Sequence, residues 1–345
     1  MRILYVGDTD HTTTSRHRAD ALGRIGHQVT HLDMWTLGGV SVRHPLWGRI
    51  HYRTGYRFVQ PQLRKNLRTS LGLAEAKFEV AWVNNGELLG RGAVEELRRV
   101  ADKVLLYSND DPTGPRDGPR FASLRGAFGA YDLCAVVRNE NVAEFESAGA
   151  LRTFRVFMGY DEVSHQPLLP EESLPDAFRS EVGFFGTWMP ERGPLMVALL
   201  RAGLPLAIWG ERWHRAPEWQ ELRAAWRGPG LQGRDYVKAI AGAKVCLGLL
   251  SKGNRDLHTT RSSEIPFAGG LLCAERTDEH LAMYRENEDA MFWESSVECI
   301  SVCRKLLADD RQRERIRLSG MKRVRELHLG NEDVAASILS AVQTL

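Results

Sequence analysis

RILYVGDTDHTTTSRHRADALGRIGHQVTHLDM, residues 2–34, is the first strand–helix–strand pattern in the chain. An apolar run at 2–7 is followed by helical spacing at 16–26, which ends at a glycine, and then by a second strand-like run at 27–34. Two strands that are joined through a helix lie parallel in one sheet. The stretch therefore predicts a parallel sheet covered by helices.

The same alternation continues through the first half of the chain. Segment 38–70 is rich in glycine, arginine and aromatic residues and is predicted as loop and irregular helix. Further strands are predicted at VAWVNN (80–85), KVLLYS (103–108) and DLCAVVR (132–138). Helices are predicted between them at GAVEELRRVAD (92–102) and GPRFASLRGAFGAYD (118–132).

A stretch with three prolines and many acids, DEVSHQPLLPEESLPDAFRSE (161–181), separates this half from a second alternation. Strands are predicted there at EVGFFG (181–186), LPLAIWG (204–210), KVCLGLL (244–250) and GLLCAE (270–275). Helices are predicted at GPLMVALLRAG (193–203), RDYVKAIAGA (234–243), 297–310 and 311–328. We therefore expect an α/β protein with two Rossmann-like, doubly wound parallel-sheet domains that face each other across a cleft. The predicted divisions are a first domain at 1–165, a linker at 166–180, a second domain at 181–328 and a C-terminal helix in 329–345 that can return to the first domain.

Composition excludes several classes of function. The 345 residues are 43% hydrophobic and 26% charged, which is typical of a soluble globular protein. With 46 basic and 44 acidic residues the net charge is only +2, so no broad field for nucleic acid or a membrane is expected. No apolar window is long enough to span a bilayer, and the N-terminus does not resemble a signal peptide. We expect a cytoplasmic location, no nucleic-acid partner and no integral membrane segment.

Five scattered cysteines show no metal-ligand spacing, so we predict reduced thiols and no metal site.

TTRSSEIPFAGG, residues 259–270, carries the clearest site signal. Ser263 is predicted as the N-cap of a helix with Glu264 and Pro266 in its first turn, and such a helix start attracts a diphosphate. Arg261 adds a forked donor that matches phosphate geometry. Glu264 can accept two hydrogen bonds from the vicinal hydroxyls of a ribose. In the alternative interpretation, Glu264 only complements the helix dipole and pairs with Arg261.

The loop before this helix is polar and suits the hydroxyl groups of a sugar. Its polar residues suited to sugar hydroxyls are Asn254, Asp256, Thr259 and Thr260, of which Asp256, Thr259 and Thr260 are the candidate binding residues.

In the first half, the polar loop after the first strand holds candidates for contact with a second substrate. It has one glycine, so a nicotinamide-binding loop is disfavoured. Asp10 and His11 are candidate catalytic residues there, with His11 as a base or a positioning donor. Asn109, Asp110 and Asp111, at the end of a later strand on the same sheet edge, compete for that role. A hydrogen-bonded turn that caps the next helix is the structural alternative for the first loop.

Three stretches resemble the CgeB-like (spore-maturation-protein-type) glycosyltransferases, relatives of glycosyltransferase family 4. They are RSSEIPFAGGLLCAERTDEHLAMYRENEDAMFW (261–293), SNDDP (108–112) and VVRNENVAEFESAGA (136–150). The resemblance implies the two-domain GT-B fold and transfer of a sugar from a nucleoside-diphosphate sugar to an acceptor hydroxyl, with no metal and no cofactor. Family 4 has an acid, seven residues and then a glutamate, which bind the donor sugar and the ribose. Asp256 and Glu264 stand at that spacing, although the first acid is Asp instead of the usual Glu.

The resemblance also implies further donor-binding residues. Gly186 and Arg192, in FFGTWMPERGPLM (184–196), are similar to a strand–turn–helix where a basic residue binds the donor diphosphate. GLQGRDYV (230–237) occupies the place where GT-B relatives hold the nucleobase. Its candidates are Leu231, Gly233 and Tyr236.

Several functional alternatives stay open at this point. A relationship to family 4 implies retention of the anomeric configuration, whereas an inverting enzyme would use His11 or an aspartate of 110–111 as its base. A nucleotide-sugar epimerase or hydrolase with a GT-B fold, or a noncatalytic nucleotide-sugar-binding protein, would have the same donor half. The acceptor is not specified: a surface glycan, a natural product and a protein all fit.

Overall fold

The computed structural model describes residues 1–72 and 77–345, which divide into two compact units. Unit 1 comprises Met1–Phe157, Gly253–Arg255 and Asn331–Leu345. Unit 2 comprises Met158–Lys252 and Asp256–Gly330. Each unit is built on its own six-stranded parallel sheet, within the part of the chain that the structure describes.

The sheet of unit 1 has the strand order β2-β1-β3-β4-β5-β6. Its central strands are nearly continuous apolar runs, as expected for a parallel sheet that helices cover on both faces. An aromatic row crosses three of them: Trp82 lies 6.3 Å from Tyr5 and 6.2 Å from Tyr107 between ring centroids. The strands are β1 (Arg2–Gly7), β2 (Gln28–Asp33), β3 (Phe78–Asn84), β4 (Ala101–Ser108), β5 (Leu133–Val136) and β6 (Thr153–Arg155).

The sheet of unit 2 has the strand order β12-β11-β10-β7-β8-β9. Its own hydrophobic cluster includes Val182, Val245 and Leu247, all fully buried. The strands are β7 (Ser180–Phe185), β8 (Leu206–Trp209), β9 (Trp226–Gly228), β10 (Ala243–Gly248), β11 (Leu272–Glu275) and β12 (Met291–Trp293).

Helices follow most of the strands. The first eight are α1 (Thr14–Arg24), α2 (Met34–Gly38), α3 (Val40–Arg43), α4 (Pro45–Arg53), α5 (Gln60–Leu71), α6 (Arg91–Arg98), α7 (Ala122–Arg125) and α8 (Asn139–Ser147). Those of unit 2 are α9 (Arg192–Arg201), α10 (Trp219–Leu222), α11 (Gly233–Gly242), α12 (Arg261–Phe267), α13 (Asp278–Met283), α14 (Ser296–Ala308) and α15 (Asp310–Glu326). The last helix, α16 (Asn331–Gln343), belongs to unit 1, where it packs against α1.

The prediction of loop and irregular helix at 38–70 is wrong for much of that segment. Helix α5 buries Leu63, Leu67 and Leu71, a spacing of four residues that places them on one helix face. Helix α4 begins at Pro45, where the missing N–H leaves no lost hydrogen bond.

The single helix predicted at 118–132 is also wrong. It is replaced by α7 flanked by two short 3-10 turns at Gly118–Phe121 and Phe128–Ala130, because glycines at 118, 126 and 129 interrupt the helical spacing.

The segment predicted as a linker, 166–180, is held onto unit 2 by one arginine of α11. Arg234 donates from Nε to Glu172 at 2.9 Å and also bonds the carbonyl oxygen of Gln166. These bonds tie the segment to the start of α11. Within the described residues, no helix is both long and apolar enough to cross a bilayer.

Candidate functional site

Polar side chains are buried at one edge of the sheet of unit 2. Strands β7 and β10 end there, and α12 begins a short distance beyond β10. Buried polar side chains at this edge include Arg192, Asp256, His258, Thr259, Ser262, Ser263 and Glu264. Because burial of a polar group costs free energy unless it is paired, such a concentration indicates a functional site.

Helix α12 begins at Arg261, two residues before the predicted N-cap. The assignment of Ser263 as N-cap is therefore wrong. Thr260 already has helical backbone angles, φ −54 and ψ −36, so the turn starts before Ser263. The hydroxyl of Ser263 instead donates to the carbonyl oxygens of Thr260, at 2.9 Å, and Met158, at 3.2 Å. Pro266 lies inside this seven-residue helix.

Arg261 presents an unpaired guanidinium. Its side chain is partly exposed, and Nε is buried with no hydrogen-bond partner. Within residues 1–72 and 77–345 it forms no ion pair, so the alternative in which it pairs with Glu264 is not observed. An arginine that no protein group satisfies is available for an anionic ligand.

Arg192 lies close enough to Arg261 for their charges to interact. Burial, and then the like charge of Arg261, lowers the pKa of Arg192 to about 9. Its guanidinium donates to the carbonyl oxygens of Thr187 at 2.7 Å, Leu249 at 3.3 Å and Leu250 at 3.1 Å. Arg192 therefore joins the ends of β7 and β10 and adds a second positive charge to the surroundings of Arg261.

Glu264 is buried and lies between Tyr236 and His165, a histidine to which no sequence pattern pointed. The hydroxyl of Tyr236 donates to Oε2 of Glu264 at 2.8 Å. Burial, and then the negative charge of Glu264, raises the pKa of Tyr236 well above its ordinary value, so the phenol stays protonated and donates. Nε2 of His165 lies 3.8 Å from Oε1 of the same carboxylate. The structure thus brings together Glu264, which is predicted to bind the ribose, and Tyr236, which is predicted to lie at the nucleobase.

A second set of buried polar groups supports the loop before α12. Ser262 Oγ accepts from the N–H of Thr259 at 3.0 Å and lies 2.7 Å from Nε2 of His280. Nδ1 of His280 lies 2.6 Å from the carbonyl oxygen of Glu275, the last residue of β11. The loop backbone is therefore fixed to the sheet through a serine and a histidine. Sequence patterns missed His280, because its partner stands 18 residues earlier.

The remaining loop candidates lie beside this network. Asp256 is buried, and its negative charge acts on the nearby Arg192. Thr259 is buried, whereas Thr260 is partly exposed directly before Arg261. Their roles toward a sugar stay predictions.

Gly186 stands where the chain leaves β7 and has no room for a side chain. A Cβ there would lie 2.9 Å from the ring of Phe184 and 3.4 Å from a terminal nitrogen of Arg192. The carbonyl oxygen of Gly186 accepts from Nε1 of Trp213 at 2.9 Å. These contacts with Phe184 and Arg192 require glycine at this position, and a role of Gly186 toward a donor diphosphate stays a prediction.

In the segment predicted to hold a base, Gly233 begins α11 with φ +53, and Leu231 is partly buried two residues earlier. No contact of either residue decides its role, so both stay predictions.

The first-half candidates occupy the loop between β1 and α1. Oδ1 of Asp10 accepts from the N–H and the hydroxyl of Thr12, at 2.9 and 2.6 Å, and these bonds lower the pKa of Asp10. His11 is 89% exposed in its side chain. Thr13 caps α1 by accepting from the N–H of Arg16. The capping turn is therefore present, while a catalytic role for Asp10 and His11 stays a prediction.

Asp110 lies in a group of carboxylates around one arginine. Its Oδ2 is 3.7 Å from Arg120, which also contacts Asp117 at 3.2 Å and Glu87, to which its Nε donates at 2.7 Å. If Asp110 acts as a base, it does so beside the positive charge of Arg120. The catalytic role of Asp110 stays a prediction.

All five cysteines are buried thiols, and the described residues contain no disulfide. No group of three or more His, Cys, Asp or Glu side chains in the described ranges is arranged to hold a metal ion.

Comparison with known proteins points to one class of fold. Residues 192–339 match the family described as glycosyl transferase-like. No curated protein matches the chain.

Similar solved structures cover the whole chain. Sucrose-phosphate synthase from Thermosynechococcus elongatus has a TM-score of 0.70 and 11% identity, over 100% of this chain and 98% of that chain. Anabaena HepE in complex with UDP-glucose has a TM-score of 0.68 and 11% identity, over 100% of both chains. The E. coli trehalose-6-phosphate protein bound to UDP-2-fluoro glucose has a TM-score of 0.64 and 14% identity, over 100% and 99%. At these identities the likeness shows the fold, which is GT-B with two Rossmann-like units.

Proposed function

We propose that this chain is a glycosyltransferase that moves a sugar from a nucleoside-diphosphate sugar to an acceptor hydroxyl. Unit 2 binds the donor. Arg261 binds the diphosphate, and the nearby Arg192 adds a second positive charge. Glu264 accepts hydrogen bonds from the ribose.

One observation carries the proposal: an unpaired guanidinium and a buried carboxylate lie three residues apart on one short helix without pairing with each other. A nucleoside diphosphate offers both complements, because its diphosphate accepts from arginine and its ribose diol donates to a carboxylate. Among the described residues, a ligand with only one of these groups would leave either Arg261 or Oε1 of Glu264 without a hydrogen-bond partner.

The comparisons support this assignment. The glycosyl transferase-like match spans 192–339 and so includes Arg192, Arg261 and Glu264. Two of the similar structures are described as complexes with UDP-glucose or a fluorinated UDP-glucose. UDP-glucose is accordingly the first donor to test.

The chemistry follows from the charges at the site. The bond between the anomeric carbon and the diphosphate oxygen breaks, the acceptor oxygen bonds to that carbon, and the proton of the acceptor hydroxyl passes to the departing diphosphate oxygen. Negative charge builds on the departing diphosphate, and a preorganised guanidinium stabilises it. The proposal includes metal independence, since Arg261 and Arg192 supply the positive charge. Activity that persists in a chelator would support this part.

We further propose that the anomeric configuration is retained. A trehalose-6-phosphate synthase with a TM-score of 0.64 is described as transferring its sugar with retention. NMR of the first-formed product decides between retention and inversion.

The experiment that tests the function has two stages. Thermal unfolding of the purified protein is followed with UDP-glucose and other nucleotide sugars, and the donors that stabilise it are then incubated with an acceptor panel while release of nucleoside diphosphate is measured. Stabilisation and acceptor-dependent release are expected for wild type, and both fall in Arg261→Gln. Release without any acceptor would favour a hydrolase, and binding without turnover a noncatalytic binder. No stabilisation by any nucleotide sugar would refute the proposal.

A further inference from the structure

His165 lies on a hydrogen-bonded turn directly before the segment predicted as a linker, 166–180. Oδ1 of Asp161 accepts from the N–H groups of Val163, at 3.1 Å, and Ser164, at 2.8 Å. The backbone N–H of His165 donates to the carbonyl oxygen of Asp161 at 3.1 Å. Asp161 is 1% exposed and His165 is 6% exposed. The imidazole therefore projects from a rigid, buried turn.

The same turn fixes which ring nitrogen of His165 carries the proton. The backbone N–H of Asp161 donates to Nδ1 at 2.9 Å. A nitrogen that accepts this bond carries no hydrogen, so the neutral ring carries its hydrogen on Nε2. Nε2 is the atom that lies 3.8 Å from Oε1 of Glu264.

The carboxylate of Glu264 is thus flanked by two hydrogen-bond donors. Tyr236 bonds Oε2 directly at 2.8 Å, and the rings of Tyr236 and His165 meet edge to face with centroids 5.9 Å apart. The distance from His165 to Oε1 exceeds a hydrogen bond, and a shift of about 1 Å would close it. An ionised carboxylate has about four acceptor sites, so one remains on each oxygen for a second donor. Two hydroxyl groups on adjacent carbons match that remaining pair.

We propose that His165 is a positioning residue which holds the Glu264 carboxylate in the rotation that accepts both ribose hydroxyls. It thereby makes the site selective for ribonucleotides over 2′-deoxyribonucleotides. This inference rests on the proposed function, because it concerns the nucleotide bound at Glu264.

Two matched variants separate the role of His165 in the turn from its role toward Glu264. His165→Asn places an amide oxygen near Nδ1, so it keeps the acceptor for the N–H of Asp161 but loses the distal donor. His165→Gln keeps a distal N–H that reaches toward Glu264. Binding of UDP, GDP and ADP, and of their 2′-deoxy forms, is measured by titration calorimetry for wild type and both variants.

Wild type is expected to bind the preferred ribonucleotide at least about tenfold more tightly than its 2′-deoxy form, the scale of one lost charge-assisted hydrogen bond. His165→Asn is expected to bring that ratio to within about twofold of one, chiefly by weakening the ribonucleotide, and His165→Gln to restore most of it. A wild-type ratio retained in His165→Asn would overturn the inference while leaving the proposed function intact. Absence of any nucleotide binding by wild type would instead sink the proposed function.

A measurement on the wild-type protein tests the inference even where a variant fails to fold. The nitrogen chemical shifts of the His165 imidazole, measured by NMR, are expected to show the tautomer with hydrogen on Nε2. The Nε2 signal is expected to move when the ribonucleotide binds, and to move much less when its 2′-deoxy form binds. A hydrogen found on Nδ1, or equal movement with both nucleotides, would overturn the inference.

Discussion

The phenol of Tyr236 donates a hydrogen bond of 2.8 Å to Oε2 of Glu264 across 28 residues of sequence. The bond joins α11 to α12, so the two residues act as one unit. A residue expected to line the base pocket therefore orients the carboxylate expected to bind the ribose.

Replacement of Glu264 by alanine is expected to weaken binding of an intact nucleotide donor by about 1–3 kcal/mol, the scale of lost hydrogen bonds to a charged group. Calorimetric titration with UDP-glucose measures the change. Glu221→Ala is the matched control, since Glu221 pairs with Arg201 at the surface. Equal affinities of wild type and Glu264→Ala would remove Glu264 from the site.

The two arginines are expected to respond differently to replacement by glutamine. Arg261→Gln should change the free energy of unfolding by less than about 0.5 kcal/mol, because no hydrogen bond of the described chain is lost. Arg192→Gln should cost about 1–3 kcal/mol, because the carbonyl oxygens of Leu249 and Leu250 lose their donor. Urea unfolding measures both effects.

Both arginine variants should bind pyrophosphate more weakly than wild type. Strong destabilisation by Arg261→Gln would show that this guanidinium stabilises the fold. Undiminished pyrophosphate binding by the same variant would show that Arg261 does not bind the ligand.

Alanine at position 186 is expected to lower the free energy of unfolding by about 1–3 kcal/mol, the range for overpacking. The new Cβ would lie 2.9 Å from the ring of Phe184 and displace it. Gly230→Ala is a suitable control, since no atom lies within 4 Å of a Cβ at that position. Thermal unfolding of the two variants gives the comparison, and similar melting temperatures would show that the turn after β7 has more room than the structure gives it.

The buried imidazole of His280 predicts a dependence of stability on acid. Burial is the largest cause that lowers its pKa from 6.5 to about 4. Between these values the unfolded chain binds a proton that the folded chain does not, so stability should fall as the pH is lowered from 6.5 to 4 and be fully present above 6.5. The free energy of unfolding is expected to fall by up to about 3 kcal/mol over this pH range because of His280.

His280→Phe isolates this contribution, because a phenyl ring can keep the stack on Phe292, where the centroids are 5.5 Å apart. Urea unfolding across the acid range should show a shallower slope for this variant than for wild type. His214→Ala, at an exposed histidine, should keep the wild-type slope. Identical slopes for wild type and His280→Phe would contradict the assignment.

The fold was accessible from sequence because the central strands of a parallel sheet are unbroken apolar runs. Strand β1 and the cores of β4 and β10 lie where these runs predict them. Strands β9 and β12 were missed because three residues are too few to show a period. Helix α5 was missed because arginine and polar residues separate its three buried leucines.

The candidate site was only partly accessible from sequence. Arg261 and Glu264 stand out because acid and base lie close together along the chain. His165 and Tyr236 reach Glu264 from 99 and 28 residues away in sequence, and no local spacing reports such neighbours. The N-cap at Ser263 was misplaced because a serine before an acid and a proline is a typical capping pattern, whereas the helical backbone of Thr260 starts the turn earlier.

A crystal structure of the protein with the nucleoside diphosphate that stabilises it most in solution tests the central claim most directly. We expect diphosphate oxygens within about 3 Å of the Arg261 guanidinium and the ribose hydroxyls on the carboxylate of Glu264. A nucleotide bound elsewhere in the chain, with Arg261 and Glu264 both left without contact to it, would contradict the account.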